Sequence, residues 1–540
     1  MHGEGLRRRA VCFPDESIPL CLHRLDGRLR PAVTPPQTLE GVFVDTVAAI
    51  APPRAETSQE RAVIGLSVVT VAVVVVFLAF AGGPGYYVDE LYFRVAGEHL
   101  AWGYVDQPLL VPLLARLQIV LFGDSLTAIR VVPALLTAVS VLVTGLIAGE
   151  LGAGRRLQVL TACVCAATLA TLAAGHVLHP TAVDHLVWIT ACWLVIRVLR
   201  TGDERLWLAV GAVVGVGLLA KYLVVLLIVA LAAGLLVAGP RRVLRSGWLL
   251  GGVGVALLIA SPGLVWQAAH GWPQFTMAGE MSAGPAGAVN FLVGQVLMIG
   301  PFLTPVWLIG LVALLRRAEW RPYRLVAAAY LVVAPLLMLL GAEPRYTEGL
   351  LTVLVAAGCV RAATLGRRLW LGVAAVLNGV LAALMVLPVL PIATYAGNPV
   401  LAVLGEEQFG ETGWPDLAAQ VSAVHRALPA DERRRAVVYA QNYGEAGALA
   451  RYGGAYGLPR TYSAQNSYAD FGRPADDVDV VVAVGVDRAS FSALFGQCEA
   501  RGRLTFDVPH FEEGKELLVC RGPRLPWERT WQRLRWTGTF

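Results

Sequence analysis

Charge is scarce in this sequence. Of 540 residues, 15% are charged and 56% are hydrophobic, whereas soluble domains usually carry about 25% charged residues. An ordinary soluble globule is thereby excluded. Several apolar runs exceed the roughly 18 residues that mark a membrane-spanning helix. The sequence also lacks a basic stripe. Its net charge is +5, but the arginines sit in short stretches between apolar runs, which argues against a nucleic-acid partner. None of the eight cysteines forms a C-x-x-C pair. Cys163, Cys165, Cys192 and Cys359 fall in apolar runs and read as small hydrophobes. Cys498 and Cys520 fall in the polar tail and can form a disulfide if that tail is outside the cytoplasm. No internal repeat is evident. No cleavable leader is read at the start, and the first apolar run serves as an anchor.

The apolar runs predict eleven spans, at about 62–81, 126–149, 157–176, 181–199, 206–220, 222–238, 248–267, 290–315, 325–341, 347–363 and 369–391. Lys221 splits 206–238, which is too long for one ordinary span. Orientation follows from the positive-inside rule. With residues 1–61 in the cytoplasm, the inner loops carry Arg155, Arg156, Arg200, Arg205, Arg241, Arg242, Arg245, Arg316, Arg317, Arg321, Arg324, Arg367 and Arg368. The outer loops keep few basic residues, among them Arg94, Lys221 and Arg345. Three regions result: a mostly disordered cytoplasmic extension at 1–61, a transmembrane region at 62–391 and an extracytoplasmic tail at 392–540. The protein is expected in the cell membrane. In the tail, residues 436–440 and 478–484 read as buried strands, 414–428 and 443–452 as helices, and Leu504 to Cys520 as a hairpin. A small α/β domain is the expectation.

The first outer loop, 82–125, holds the densest cluster of ionisable and aromatic residues. Its centre, residues 86–108, reads Y-Y-V-D-E-L-Y-F-R-V-A-G-E-H-L-A-W-G-Y-V-D-Q-P. Asp89 and Glu90 open a helix predicted to run to about Trp102, with Arg94 spaced for an i,i+4 contact with Glu90. An acidic pair there can simply cap the helix and complement its dipole. Its company weighs against that, because Arg94, His99, Asp106 and several aromatics crowd the same segment. Ionisable groups beside the hydrocarbon are costly and usually functional.

Y-Y-V-D-E-L-Y at 86–92, followed by H-L-A-W-G-Y-V-D-Q-P at 99–108, resembles the first-loop signature of the dolichyl-phosphate-mannose protein mannosyltransferase superfamily. The closer likeness is to its bacterial branch of family 39 and aminoarabinose-transferase-like membrane glycosyltransferases. The likeness continues at G-L-L-A-K-Y (217–222), Q-N-Y-G-E-A-G-A-L (441–449), S-A-Q-N-S-Y (463–468) and V-C-R-G-P-R (519–524). It implies a GT-C fold, a polyprenyl-phosphate sugar donor, an active site at the outer membrane face and transfer with inversion. By motif position Asp89 would be the base, Glu90 its supporting partner, and Asp106 a further acid of the site. A carboxylate beside a weakly nucleophilic hydroxyl can take its proton during attack. The departing phosphate needs cations or polar donors. Lys221 would pair with it, against a plain reading as an interfacial lysine. Arg345, Tyr346 and Arg94 are further candidates for the phosphate. His179 and Asp184 would line the site, against helix capping or interhelical bonding.

No metal constellation has convincing spacing. His176, His179, Asp184 and His185 can hold a divalent ion only if they face one cavity, and no cofactor is demanded. The acceptor, whether lipid, glycan or protein, is not specified by the sequence, nor is the sugar. Two other classes compete. A transporter or flippase predicts paired halves and polar breaks near mid-membrane. A membrane scaffold would not need Asp89, Asp106 and Lys221 to converge. Asn442, Tyr443, Asn466 and Tyr468 can meet an acceptor sugar, but such residues are also ordinary turn and cap residues.

Overall fold

The computed structural model describes residues 23–25, 28–30, 55–280 and 286–538, apart from the side chains of 23–25, 28–30, 55–63 and 278–286. The expectation for residues 1–61 lies for the most part outside them. Two compact units are present, Met1–Gln59 and Glu60–Phe540. In the first, β1 (His23–Leu25) pairs antiparallel with β2 (Arg28–Arg30).

The helices in chain order are α1 (Ala55–Phe80), α2 (Val88–Ala96), α3 (Leu110–Phe122), α4 (Val131–Glu150), α5 (Arg155–Ala166), α6 (Leu169–His176), α7 (Pro180–Thr201), α8 (Leu206–Leu218), α9 (Val224–Ala238) and α10 (Gly247–Ala269). They continue with α11 (Pro273–Glu280), α12 (Ala286–Ile299), α13 (Thr304–Arg316), α14 (Arg324–Leu339), α15 (Glu348–Thr364) and α16 (Arg368–Val386). Among the described residues six helices are long and apolar enough to cross a membrane, and two bent pairs raise the number to eight. The sequence predicts eleven spans. The difference lies in shorter apolar helices, among them Ile64–Phe80, α8 and α9. Lys221 does separate α8 from α9.

α15 is apolar on all sides, and nearly every side chain from Leu350 to Ala363 is buried, as expected for a helix at the centre of a bundle. It crosses α13 so closely that a Cβ on Gly310 would stand 1.9 Å from the Leu354 carbonyl oxygen, and one on Gly358 1.9 Å from that of Val306. Small residues at such crossings let the backbones touch.

Two expected spans are broken. The run 157–176 bends by 67° between α5 and α6, and 290–315 bends by 99° between α12 and α13. Thr168 caps α6, accepting from the Thr171 amide. Gly300 turns the second break with φ +98°. A break in hydrocarbon frees backbone carbonyls that need partners. One side chain serves both. Asn378 of α16 donates to the carbonyls of Ala167 (2.8 Å) and Ile299 (2.9 Å).

The tail contains α17 (Trp414–Arg426), α18 (Tyr443–Tyr452) and a five-stranded sheet. Its strands are β3 (Ala436–Ala440), β4 (Thr461–Tyr462), β5 (Val480–Val484), β6 (Phe495–Arg503) and β7 (Glu516–Pro523), in the order β4-β3-β5-β7-β6. β4, β3 and β5 run parallel, while β7 and β6 are antiparallel additions. The expected hairpin starts earlier than Leu504, because its first strand is β6. That strand, F-G-Q-C-E-A-R-G-R, is a largely exposed edge with little apolar alternation, so its sequence does not announce it. Cys498 faces Cys520 across β6 and β7, and the two form a disulfide.

The first loop and the tail share one core. Val88, Leu91, Tyr92 and Phe93 of α2 pack with Trp414, Leu417 and Val421 of α17 and with Val438, Val482 and Val519 of the sheet. A Cβ on Gly447 would sit 2.9 Å from the Leu91 backbone, so α18 lies directly on α2. The Trp414 indole donates to the Tyr86 carbonyl at 3.0 Å.

Candidate active site

Asp89 stands in the first turn of α2, and its side chain is 18% exposed. Both of its oxygens are engaged. The Tyr443 hydroxyl, from the start of α18, donates to Oδ1 at 2.9 Å. His179 Nε2 lies 3.4 Å from Oδ2. His179 is also the N-cap of α7, its Nδ1 accepting from the Thr181 amide at 3.1 Å. A neutral imidazole accepting at Nδ1 carries its proton on Nε2, which aims that proton at Asp89. Burial, aided by the charges of Arg345 and Lys221, holds the His179 proton affinity well below the usual range, so the ring is neutral. Burial raises the Asp89 carboxyl, while the Tyr443 bond and the Arg345 charge oppose the rise.

Asp106 joins the site through aromatic side chains. Its Oδ1 accepts from the Tyr92 hydroxyl at 2.9 Å, and the Tyr92 and Tyr443 rings lie 4.7 Å apart. Burial pushes Asp106 up to about 6, and the negative charge of Asp89 adds to the rise. Burial and the two carboxylates lift both phenols well above their usual range, so each tyrosine stays a hydrogen-bond donor at neutral pH.

The charges of two cations reach His179. Lys221, at the α8–α9 junction, places its ammonium 4.2 Å from the centre of the Tyr346 ring. The junction is pinned to the first loop, because the Leu110 amide donates to the Leu219 carbonyl at 2.8 Å. Burial pulls Lys221 below its usual range, and Asp184 counteracts this. Asp184 itself accepts from the Trp188 indole at 2.9 Å. Arg345 forms an ion pair with Glu343 and keeps 40% of its side chain exposed. A cavity of about 330 Å³ opens here. Tyr87, His179 and Arg345 are polar members of its lining, and Leu169, Met298 and Val386 are apolar ones.

Two predicted site residues are placed otherwise. Glu90 does not support an acceptor. It is fully buried and saturated, accepting from Arg130 at 3.0 and 2.8 Å and from the amides of Leu178 (3.0 Å) and Tyr87 (2.9 Å). Its carboxylate completes the N-terminal cap of α2 while neutralising a buried guanidinium, and no oxygen is left for a substrate. Arg94 makes neither the contact with Glu90 nor a contribution to the cation cluster. Its guanidinium pairs with Asp124 at 2.5 Å and approaches Glu98 at 3.7 Å, one helical turn along α2. The histidine cluster weighed for a metal is dispersed as well. His176 pairs with Glu411, His179 with Asp89 and His185 with Glu348. Among the described residues no group of three or more His, Cys, Asp or Glu side chains is placed to hold a metal ion.

Sequence reasoning missed the anchor of the loop. Arg130, 1% exposed, bonds Glu90, Glu411 at 2.9 Å, and the carbonyls of Gly83 (3.1 Å) and Gly85 (2.8 Å). The available signal was a lone arginine entering an apolar run, since such charges are costly unless paired. Tyr443 was marked for an acceptor rather than for Asp89.

A family model described as dolichyl-phosphate-mannose-protein mannosyltransferase matches residues 106–266, an interval that holds Asp106, His179, Asp184 and Lys221. No protein of curated function matches. Among solved structures, ArnT from Cupriavidus metallidurans is similar in two states. The apo structure aligns with a TM-score of 0.58 and 16% identity, over 86% of this chain and 100% of that one. The structure bound to undecaprenyl phosphate aligns with a TM-score of 0.56 and 16% identity, over 86% and 99%. At that identity the likeness speaks for the fold, and the family match speaks for the sequence. Residues 106–266 are thus similar to the protein-mannosyltransferase family, and the chain shares the GT-C fold of ArnT.

Proposed function

We propose that the chain transfers a sugar from a polyprenyl-phosphate donor to an acceptor hydroxyl at the outer membrane face, with inversion and with Asp89 as base. One observation carries this reading. Asp89 is held at both oxygens by His179 and Tyr443, while Arg345, which shares a cavity with His179, sets a cation close enough to act on it. Asp89 takes the proton of the acceptor hydroxyl as that oxygen bonds to the anomeric carbon. The bond between this carbon and the phosphate oxygen breaks with its electron pair on the phosphate. A single displacement from the opposite face inverts the anomeric centre. Lys221 and Arg345 neutralise the leaving phosphate, so a divalent ion is permitted but not needed. The apolar side of the cavity suits the first prenyl units. The ArnT structure bound to undecaprenyl phosphate supports this class of donor.

Topology supports the outer-face assignment. Counting Ile64–Phe80, α8, α9 and each bent pair as one span, beside the six long helices, gives eleven. The arginine-rich connections then lie inside, and the first loop, Lys221, Arg345 and the tail lie outside. The Cys498–Cys520 disulfide fits an oxidising compartment.

The donor assignment is tested by undecaprenyl phosphate binding to the purified protein. Lys221→Met is expected to weaken binding by about tenfold or more, the scale of one charge-assisted contact. Unchanged affinity would remove Lys221 from the phosphate site.

A further inference from the structure

A second cavity, of about 360 Å³, lies between the first loop and the tail. Arg94 and His99 line it from the loop, and Arg460, Tyr462, Tyr468 and Phe471 from the tail. It is built from flat rings and directed polar groups. The His99 imidazole stacks on Phe471 with centroids 4.7 Å apart and planes 9° apart. The Arg460 guanidinium lies over Tyr462 at 5.1 Å. Tyr468 is only 5% exposed. The residue lines the cavity. Thr461 Oγ1, on the same wall, is buried and unpartnered. Buried polar groups are normally satisfied, so the Thr461 hydroxyl is a group a ligand would satisfy.

The cavity is coupled to Asp89 and Asp106. The Tyr468 ring is stacked on Tyr92 at 6.5 Å, and Tyr92 contacts Tyr443. These last two tyrosines hold Asp106 and Asp89. Arg94 follows Asp89 by five residues on the same helix, about 8 Å along its axis. A ligand one sugar ring longer than the reacting unit bridges that step. The surroundings also select the ligand's chemistry. The charge of Arg94 is already met by Asp124, so the wall is not strongly cationic. The polar rim does not suit a long alkyl chain. A pyranose or furanose ring offers what fits: an apolar face of C–H groups for the aromatic rings, and hydroxyls around its edge for Tyr468, Thr461 and Arg460.

We propose that this cavity is an acceptor subsite for a neutral carbohydrate unit, one sugar beyond the hydroxyl that reacts at Asp89. The proposal rests on the glycosyltransferase reading of Asp89, but its test does not require turnover. The full chain in detergent is examined by saturation-transfer NMR with maltose, cellobiose, mannobiose and N,N′-diacetylchitobiose. Saturation transfer to the ring protons of at least one disaccharide is expected. Tyr468→Phe should weaken its binding about fivefold, the worth of one neutral hydrogen bond, and Arg460→Ala should weaken it further, with melting temperatures unchanged. Binding of none of the four, or binding indifferent to both cavity substitutions, would overturn the subsite. An Asp89→Asn protein that still transfers sugar would instead overturn the base, leaving the disaccharide result to stand or fall by itself.

Discussion

Replacing Tyr443 with Phe tests whether the tail takes part in catalysis. The substitution keeps the ring that packs 4.7 Å from Tyr92 and removes only the hydroxyl that donates to Asp89 at 2.9 Å. A base must be ionised to accept a proton, and this bond favours the ionised carboxylate. Hydrogen bonds to charged groups contribute about 1.5–3 kcal/mol, and 1.36 kcal/mol corresponds to one pH unit of proton affinity. Losing the bond should therefore move the acidic limb of kcat/KM upward by about one to two pH units. Because Asp89 is 18% exposed, water replaces part of the bond, which favours the lower end. The sign follows from the group: a carboxyl that loses a stabilising donor stays protonated to higher pH, so activity is lost from the acidic side. On the alkaline side of the limb the rate should largely recover. The assay is sugar transfer in membranes, followed from acidic to mildly alkaline pH. An unmoved limb, or one moved downward, would refute the coupling between Tyr443 and Asp89.

Two further perturbations probe the scaffold. Arg130→Met leaves the Glu90 and Glu411 carboxylates buried without their shared cation, and breaking a buried pair in this way costs about 3–5 kcal/mol; the folded yield in detergent should collapse, whereas near-normal thermal stability would show that the cluster is not the anchor of the loop. Asn378→Leu strips the carbonyls of Ala167 and Ile299 of their side-chain donor, at about 1–3 kcal/mol each if left unsatisfied; a clear drop in melting temperature is expected, and an unchanged one would mean that both breaks hold without it.

Much of the fold was legible because hydrocarbon imposes simple rules. Long apolar runs locate helices, and the V-V-V-A-V core of β5 announces a strand buried on both faces. What escaped were features settled by distant partners. The bends after Ala166 and Ile299 depend on Asn378, far along the chain, and β6 carries almost no apolar pattern. The site followed the same division. The sequence singles out Asp89, His179 and Tyr443, and the fold brings these three into contact. Glu90 reads in sequence as the supporting partner of Asp89, yet the two neighbours point to different surroundings on one helix. Glu90 faces Arg130, and Asp89 faces His179 and Tyr443. Neighbours in a helix project about 100° apart, so adjacency in sequence says little about a shared role. Arg94 was drawn off by Asp124, thirty residues away, a partner that no local spacing rule identifies.

The central claim, that Asp89 is the base of a polyprenyl-phosphate-dependent glycosyl transfer, is tested most directly by Asp89→Asn. Membranes containing the substituted protein are assayed for sugar transfer from a polyprenyl-phosphate donor, beside Glu319→Gln, a change in an exposed carboxylate paired with Arg317 on another connection. General bases typically contribute about 10²–10⁴-fold. A loss of that order for Asp89→Asn, with Glu319→Gln near the wild type, is the predicted result. Undiminished turnover in Asp89→Asn would contradict it.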